Sequence, residues 1–191
     1  QLPAPPLPSD PTAEAFLRAA TLLVNDQGYR GASIDKIAAV LNATKGKFYH
    51  YNDAKLELIT ACFERSFDVL RHYLDQAEKL DASGAERFAA FVEALVSFQL
   101  SERGPLLLGS AFSALPDQNH RIGVARTRLQ LDTRIGSILV GGLVDNSVRA
   151  LDPALAAELV HAAIAAAAEL RRWMPNQDPT NVARLYAEPI T

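Results

Sequence analysis

The sequence predicts an all-α protein, and three observations support this class. Apolar residues recur every three or four positions through most of the chain, which is the period of an amphipathic helix. Ser, Thr, Asp or Asn precedes several of these segments, where a side-chain oxygen can cap the first backbone N–H groups. No strand pattern and no internal repeat accompanies them. We therefore expect an N-terminal three-helix unit followed by a larger helical domain.

The first helix follows a proline-rich start. Residues 1–11 contain five prolines, so we expect a flexible, partly extended arm there. Asp10 or Thr12 can cap the helix, with Pro11 acceptable at its opening position, and Gly28 is expected to end it. The predicted inner face consists of Phe16, Ala19, Ala20, Leu23 and Gln27.

Residues 33–55 have the pattern of a helix-turn-helix. Ser33 is a suitable N-cap for a short helix whose apolar face recurs at i, i+3, i+4 and i+7. Asn42 tolerates the left-handed backbone that a sharp helix exit needs. Thr44 can then cap a second helix over residues 44–51, and a third begins at about Ala54. In such motifs the second helix enters the DNA major groove.

The second of these helices is rich in hydrogen-bond donors. Phe48 is its one clear core residue, and the donors are Thr44, Lys45, Lys47, Tyr49, His50 and Tyr51. Phosphate oxygens bind donors and positive charge, and a helix N-terminus adds free N–H groups. A solvated basic loop is the alternative, but caps at both Ser33 and Thr44 favour helices and hence DNA binding.

The segment IDKIAAVLNATKGKFYHYNDAKLEL resembles the DNA-binding signature of the tetracycline-repressor-like (TetR) family of transcriptional regulators. The shared features are Ile37-Ala38, the Thr-Lys-Gly run at residues 44–46, the aromatic residues at 48, 49 and 51, and Lys55-Leu56. The resemblance implies a DNA-binding set of Ser33, Thr44, Lys45, Gly46, Lys47, Tyr49, His50 and Lys55. Among these, we expect Lys45, Lys47 and His50 to read base edges and Thr44, Tyr49 and Lys55 to contact phosphates.

The charge distribution agrees with this expectation. The 191 residues carry a net charge of −3, but residues 28–55 hold five basic against two acidic residues, a local +3. The rest of the chain therefore sums to −6, which indicates a basic binding face on an acidic body. We assign residues 1–11 to the arm, 12–53 to a DNA-binding domain, and 54–191 to a helical effector-binding and dimerisation domain.

The C-terminal part reads as a series of helices. A long helix over residues 54–80 links the two domains, and residues 81–84 break it. Further helices are predicted at residues 85–101, 106–115 and 118–150. Asp152-Pro153 is a strong start signal for the next helix, which ends near Arg172, and a final helix covers residues 181–188.

Aromatic residues are frequent in these helices. The TetR resemblance implies that such residues enclose a small, largely apolar effector, and the candidates are Phe63, Phe67, Tyr73, Phe88, Phe91, Phe98, Phe112 and Trp173. Aromatic residues at helical spacing also form ordinary core. Both interpretations remain open from the sequence.

The helix after Asp152 carries a stripe of small and aliphatic residues. Its members are Leu155, Leu159, Ala162, Ala163, Ala166 and Leu170. The family resemblance implies a homodimer interface here, which would present two recognition helices to a near-palindromic double-stranded operator. The expected function is therefore a one-component regulator, a repressor released from its operator by the effector.

Other functional classes have less support. The four histidines lack metal-ligand spacing, and the single Cys62 has no neighbouring base, so we expect no catalysis, metal or cofactor. A helical scaffold or ligand-binding protein whose helix-turn-helix serves protein contacts remains the alternative. The chain opens without a secretory signal pattern, and no apolar run is expected to reach membrane-spanning length. We therefore expect a cytoplasmic protein with no membrane partner.

Overall fold

A computed structural model describes residues 1–42, 55–113, 115–149, 152–173, 176 and 178–187. This part of the chain is helical and contains no strand, as predicted. We number its α-helices in chain order: α1 Pro11–Gly31, α2 Ile34–Val40, α3 Lys55–Glu78, α4 Gly84–Leu100, α5 Gln118–Val144, α6 Pro153–Trp173 and α7 Pro179–Ala187.

The helix starts follow from side-chain capping. The Asp10 carboxylate accepts hydrogen bonds from the backbone N–H groups of Thr12 and Ala13, at 2.8 and 3.0 Å. Ser33 caps α2, and Asp152 caps α6 through the N–H of Ala154 at 2.8 Å. Each interaction satisfies an N–H group that lacks a partner within the helix. These three predicted caps are confirmed.

The end of α1 differs in part from the prediction. Gly28 has a φ of 70°, a left-handed conformation that glycine adopts without strain, but helical structure resumes after it and ends at Gly31. The inner face also differs, because Val24 is buried whereas Gln27 is exposed. After α2, Asn42 has a φ of 50°, as predicted for the sharp exit.

The chain forms two compact units. The head unit comprises Pro6–Ser66 and Pro105–Arg126, and the body unit comprises Gln1–Pro5, Phe67–Gly104 and Thr127–Thr191. In the head unit, α1 packs against α2 and against a 3₁₀ turn at Gly109–Ala111. In the body unit, α4 packs against α6 and α7. Helices α3 and α5 each contribute residues to both units.

The first five residues are held on the body unit. Leu2 is buried, His72 Nε2 lies 2.9 Å from the Pro3 carbonyl oxygen, and Arg103 Nη1 donates to the Pro5 carbonyl oxygen at 2.6 Å. The flexible arm expected from the prolines did not anticipate these contacts. Proline lacks an N–H donor but keeps its carbonyl acceptor, and these two carbonyls are paired with side-chain donors.

Residues 105–108 form no helix, so the helix predicted over residues 106–115 is wrong. Only the 3₁₀ turn Gly109–Ala111 forms there. Asn25 of α1 explains much of the difference, because its side-chain amide donates to the Leu106 carbonyl oxygen at 2.9 Å and accepts from the Leu108 N–H at 3.0 Å. Side-chain hydrogen bonds thus replace the helical ones that this backbone would otherwise make.

Helix α3 supplies two further contacts to the same non-helical segment, residues 105–108. Ser66 Oγ accepts from the Leu107 N–H at 2.9 Å, and Arg65 Nη1 donates to the Pro105 carbonyl oxygen at 3.0 Å. Arg65 is buried, and its charge is paired with Glu14 of α1 through an Nε–Oε1 hydrogen bond of 2.7 Å. Such pairing is required of a buried charge. We call the contacts of Asn25, Arg65 and Ser66 with residues 105–108 the backbone clamp.

Helix α6 departs from the expectation that no apolar run reaches membrane-spanning length. Its window Pro153–Leu170 has a mean hydropathy of 1.4 over 18 residues, which is long and apolar enough to cross a membrane by length and composition alone. Alanine and leucine residues contribute most of this mean hydropathy. Since α6 packs against α4, part of its apolar surface belongs to the core of the body unit.

The backbone clamp generates a stability prediction. Asn25→Ala removes both partners from the Leu106 carbonyl and the Leu108 N–H, so we expect a loss of about 1–3 kcal/mol in the free energy of unfolding. Urea unfolding followed by circular dichroism measures it. Gln130→Ala is the control, since Gln130 is an exposed amide residue on α5, and should change stability by no more than about 0.5 kcal/mol. Equal effects would contradict the clamp.

The core of α3 generates a second prediction. Burial raises the pKa of the Cys62 thiol to about 11, and Sγ lies 3.4 Å from the Leu17 carbonyl oxygen. At pH 8 the folded protein therefore holds the unreactive thiol form, shielded from reagents. We expect a thiol-specific reagent such as DTNB to label Cys62 only after denaturation in guanidinium chloride. Rapid stoichiometric labelling of the folded protein would contradict this burial.

Candidate nucleic-acid interface

The predicted DNA-binding residues fall into two groups. Ser33 and Lys55 belong to the described part of the chain, whereas Thr44, Lys45, Gly46, Lys47, Tyr49 and His50 lie outside the described residues. The described part of the candidate interface consists of the segments on either side of residues 43–54. These are the end of α1, all of α2 and the first turn of α3.

Helix α2 buries one face and exposes the other. Ile37 and Ala38 are buried, whereas Asp35 and Lys36 are exposed. Ser33 Oγ accepts a hydrogen bond from the Lys36 N–H at 3.2 Å, which leaves the hydroxyl hydrogen able to donate. The cap and a phosphate contact by Ser33 are thus compatible.

Lys36 fastens α2 to the end of α1. Its Nζ donates to Gln27 Oε1 at 2.7 Å and to the Gly31 carbonyl oxygen at 3.0 Å. In the sequence, Lys36 contributes only a positive charge to the predicted basic face. Its partners are nine and five positions away and share no helical register with it, so periodicity gives no signal for this contact. The turn after Gly28 is therefore held to α2 by side-chain hydrogen bonds.

Lys55 lies in the first turn of α3, and an aromatic ring lies beneath it. Its Nζ is 4.4 Å from the centroid of the Tyr29 ring, within the range of a cation–π interaction. Burial lowers the pKa of the Lys55 ammonium and raises the pKa of the Tyr29 hydroxyl. Both directions indicate partial removal from water. Tyr29 was not among the predicted site residues.

The predicted effector residues are divided between the two units. Phe67, Tyr73, Phe88, Phe91 and Phe98 are buried in the body unit, and the Tyr73 and Phe98 rings meet edge to face with centroids 6.3 Å apart. Phe63 and Phe112 belong to the head unit. Trp173 is 79% exposed, which does not fit the expected lining role. The buried aromatics of the body unit are at least core residues.

The predicted dimer stripe is largely exposed on α6. Leu155, Leu159, Ala162 and Ala166 follow one another at four, three and four positions, and all four are exposed. Leu170 is half-buried, while Trp173 continues the same helical face. Ala163 differs from the others, because it is buried within the protomer. Helix α5 also exposes large apolar residues, namely Ile122, Leu129, Val140 and Val144.

Among the described residues, metal-binding side chains do not cluster. They contain no group of three or more His, Cys, Asp or Glu side chains that could hold a metal ion. An open groove in the head unit, of about 300 Å³, is lined by Thr60, Glu64, Asn119, His120, Gly123 and Val124. His120 Nδ1 lies 2.6 Å from Asp117 Oδ2, so the imidazole is already paired with the carboxylate three residues before it.

Sequence comparison places this interface among known proteins. Residues 16–62 match the family model described as "Bacterial regulatory proteins, tetR family". The chain is 32% identical over 63 residues to the transposon Tn10 TetC protein of Escherichia coli, a match covering 33% of this chain and 32% of that protein. It is 34% identical over 92 residues to the HTH-type transcriptional activator FasR of Mycolicibacterium smegmatis, covering 48% and 42%. The matches thus span less than half the length of these curated relatives.

Structural comparison extends over nearly the whole chain. The crystal structure of AibR in complex with isovaleryl coenzyme A and operator DNA has a TM-score of 0.70 at 20% identity, covering 93% of this chain and 97% of AibR. The regulator FadR of Bacillus subtilis in complex with stearoyl-CoA has a TM-score of 0.66 at 16% identity, covering 92% and 96%. Residues 16–62 therefore match the N-terminal domain of the tetR family of bacterial regulatory proteins, and the chain as a whole shares the fold of these solved structures.

Proposed function

We propose that this chain is a transcriptional regulator that binds operator DNA as a homodimer and acts as a repressor released by a small, largely apolar effector. The observation that carries the proposal is the first helix of the helix-turn-helix, α2, together with the turn that follows it. Ser33 caps α2, Asn42 makes the left-handed exit, and a donor-rich segment at residues 44–51 follows. The match of residues 16–62 to the tetR family model supports the same function.

The proposed contacts divide by chemistry. Lys45, Lys47 and His50 carry donors suited to base edges in the major groove. A second group supplies neutral or charged donors for phosphate oxygens and consists of Ser33, Thr44, Tyr49 and Lys55. Gly46 allows close approach of the backbone. The local charge of +3 over residues 28–55 favours the duplex despite the net charge of −3.

The division into base and phosphate contacts makes a prediction. Lys55→Ala should weaken binding to selected and random duplexes alike and reduce the slope of log K against log salt by about 0.9, the value for one phosphate contact. Lys47→Ala should instead weaken the preference for the correct base at one base pair per half-site, by about 1–3 kcal/mol of binding free energy. Fluorescence anisotropy over a salt series measures both.

Lys79→Ala is the matched control for Lys55→Ala. Lys79 is an exposed lysine just beyond the opposite end of α3, in the body unit, and its loss should leave the slope unchanged. An unchanged slope for Lys55→Ala would remove Lys55 from the interface. Salt-independent binding by the parent protein would instead favour the scaffold alternative.

The homodimer is proposed from the exposed stripe on α6. Its members Leu155, Leu159, Ala162 and Ala166 place apolar surface on one helical face, and Trp173 extends that face. Small residues let two helices approach closely, and large exposed apolar residues are more often covered by a partner when they are contiguous. Two protomers joined in this way would present two recognition segments to a near-palindromic operator.

The stripe predicts the effect of added charge. Ala166→Glu would bury an unpaired carboxylate in the proposed contact, so we expect the dimer dissociation constant to rise at least about 100-fold. Sedimentation velocity measures the change. Ala154→Glu is the control, because Ala154 is exposed on the same helix but off the stripe. Ala163→Glu is unsuitable because that residue is buried within the protomer. A dimeric Ala166→Glu variant would contradict this interface.

The effector is proposed from the apolar interior of the body unit. Phe88 and Phe91 are fully buried on α4, and Tyr73 packs edge to face against Phe98. An aromatic-rich interior suits an acyl or other apolar group. Coenzyme A thioesters are the first class to test, since the structures of AibR and FadR were determined with isovaleryl coenzyme A and stearoyl-CoA.

This proposal predicts coupling between effector and DNA. An effector lowers DNA affinity only if it binds one arrangement of the protein better than another. A short-chain probe, isovaleryl coenzyme A, and a long-chain probe, stearoyl-CoA, should be compared with free coenzyme A. We expect one thioester to weaken duplex binding by roughly 5- to 150-fold, and DNA to weaken thioester binding by the same factor. No response to either probe would contradict the thioester class.

A further inference from the structure

We infer that Tyr29 is a positioning residue for the phosphate contact of Lys55, with its ring holding the ammonium at the DNA-facing end of α3. The inference rests on the proposed DNA-binding function and deepens it. It assigns a role to a residue that lies outside the helix-turn-helix segment itself.

Gly28 determines where Tyr29 lies. Its φ of 70° interrupts α1, so the residue that follows does not continue the helical register of the preceding turns. No atom lies within 4 Å of a Cβ built at Gly28, so space alone would admit a side chain. The backbone conformation is what favours glycine at this position. The position of Tyr29 is therefore determined by the break in α1 at Gly28.

The turn that carries Tyr29 is held on both sides. Lys36 Nζ donates to Gln27 Oε1 and to the Gly31 carbonyl oxygen, which lie two positions before and two positions after Tyr29. The Ala32 N–H donates to the Gly28 carbonyl oxygen at 3.1 Å and closes the turn. Because these hydrogen bonds fix the turn, the Tyr29 ring provides a fixed surface for the flexible Lys55 side chain.

Lys55 uses this surface. Its Nζ lies 4.4 Å from the Tyr29 ring centroid, and an ammonium has three N–H donors. A single ring face occupies one side of the ammonium, so donors remain for a phosphate oxygen. Lysine normally loses considerable rotamer freedom when it is fixed at a binding site. A side chain already held over the ring loses less of that freedom on binding DNA.

The electrostatic environment also supports a Lys55 ammonium that is prepared for a phosphate contact. Burial lowers the pKa of Lys55, as expected for an ammonium that has given up part of its hydration on folding. Tyr29 and Lys55 are each half-buried, so the pair is neither a core contact nor a fully solvated one. Less water then remains to be removed when a phosphate approaches.

A double-mutant cycle tests this role with a random-sequence duplex of about 30 base pairs as the probe, because a phosphate contact is independent of sequence. Tyr29→Leu should weaken binding about two- to five-fold, the range expected from a partly exposed cation–π contact. In a Lys55→Ala background the same change should have no further effect. Tyr29→Phe keeps the ring face and should bind like the parent.

The duplex affinity of a Tyr29→Trp variant is a second test, and it does not require the Tyr29→Leu variant to fold. Tryptophan offers the strongest cation–π face, so its affinity should at least equal that of the parent. Equal losses from Tyr29→Leu with and without Lys55 would overturn the positioning role, as would a Tyr29→Trp variant that binds poorly despite an unchanged thermal unfolding midpoint. Loss of affinity in Tyr29→Phe would assign the effect to the hydroxyl. A parent protein that fails to bind the duplex would overturn the proposed function as well.

Discussion

The head unit depends on one constraint, the hydrogen-bonding requirement of the non-helical backbone at residues 105–108. Leu106 and Leu107 are buried, so their backbone groups need partners inside the protein. Asn25 of α1 and Ser66 of α3 supply them, and Arg65 adds a bond to the Pro105 carbonyl oxygen while pairing with Glu14. These contacts join two helices and a distant segment into one unit. They explain why residues 105–126 group with the N-terminal helices.

This arrangement has a consequence for regulation. Helices α3 and α5 contribute residues to both units, and residues 105–108 follow α4 directly in the chain. The proposed DNA contacts of Ser33 and Lys55 are carried by the same unit as the backbone clamp. Continuous chain therefore joins the two units within α3, within α5 and between residues 104 and 105. Such coupling still requires an effector that binds the two states with different affinity.

Local signals predicted local structure well, and distant contacts were not predictable. The caps Asp10, Ser33 and Asp152 act within three residues of their partners, so the sequence reveals them. Asn25 and Leu106 lie 81 positions apart, and no periodicity links them. The helix predicted there failed for that reason. Side-chain exposure was also not predictable from the sequence. Trp173 was predicted to line an effector site together with the other aromatic residues, yet it lies on the exposed face of α6.

The most direct test of the central claim is selection of DNA by the purified protein from a random duplex pool, followed by sequencing. A homodimeric regulator with one recognition segment per protomer predicts a near-palindromic sequence whose half-site centres lie one helical turn apart, about 34–36 Å, or a multiple of it. Enrichment should be lost at high salt, since phosphate contacts dominate affinity. Absence of any enriched sequence at low and moderate salt would contradict the account.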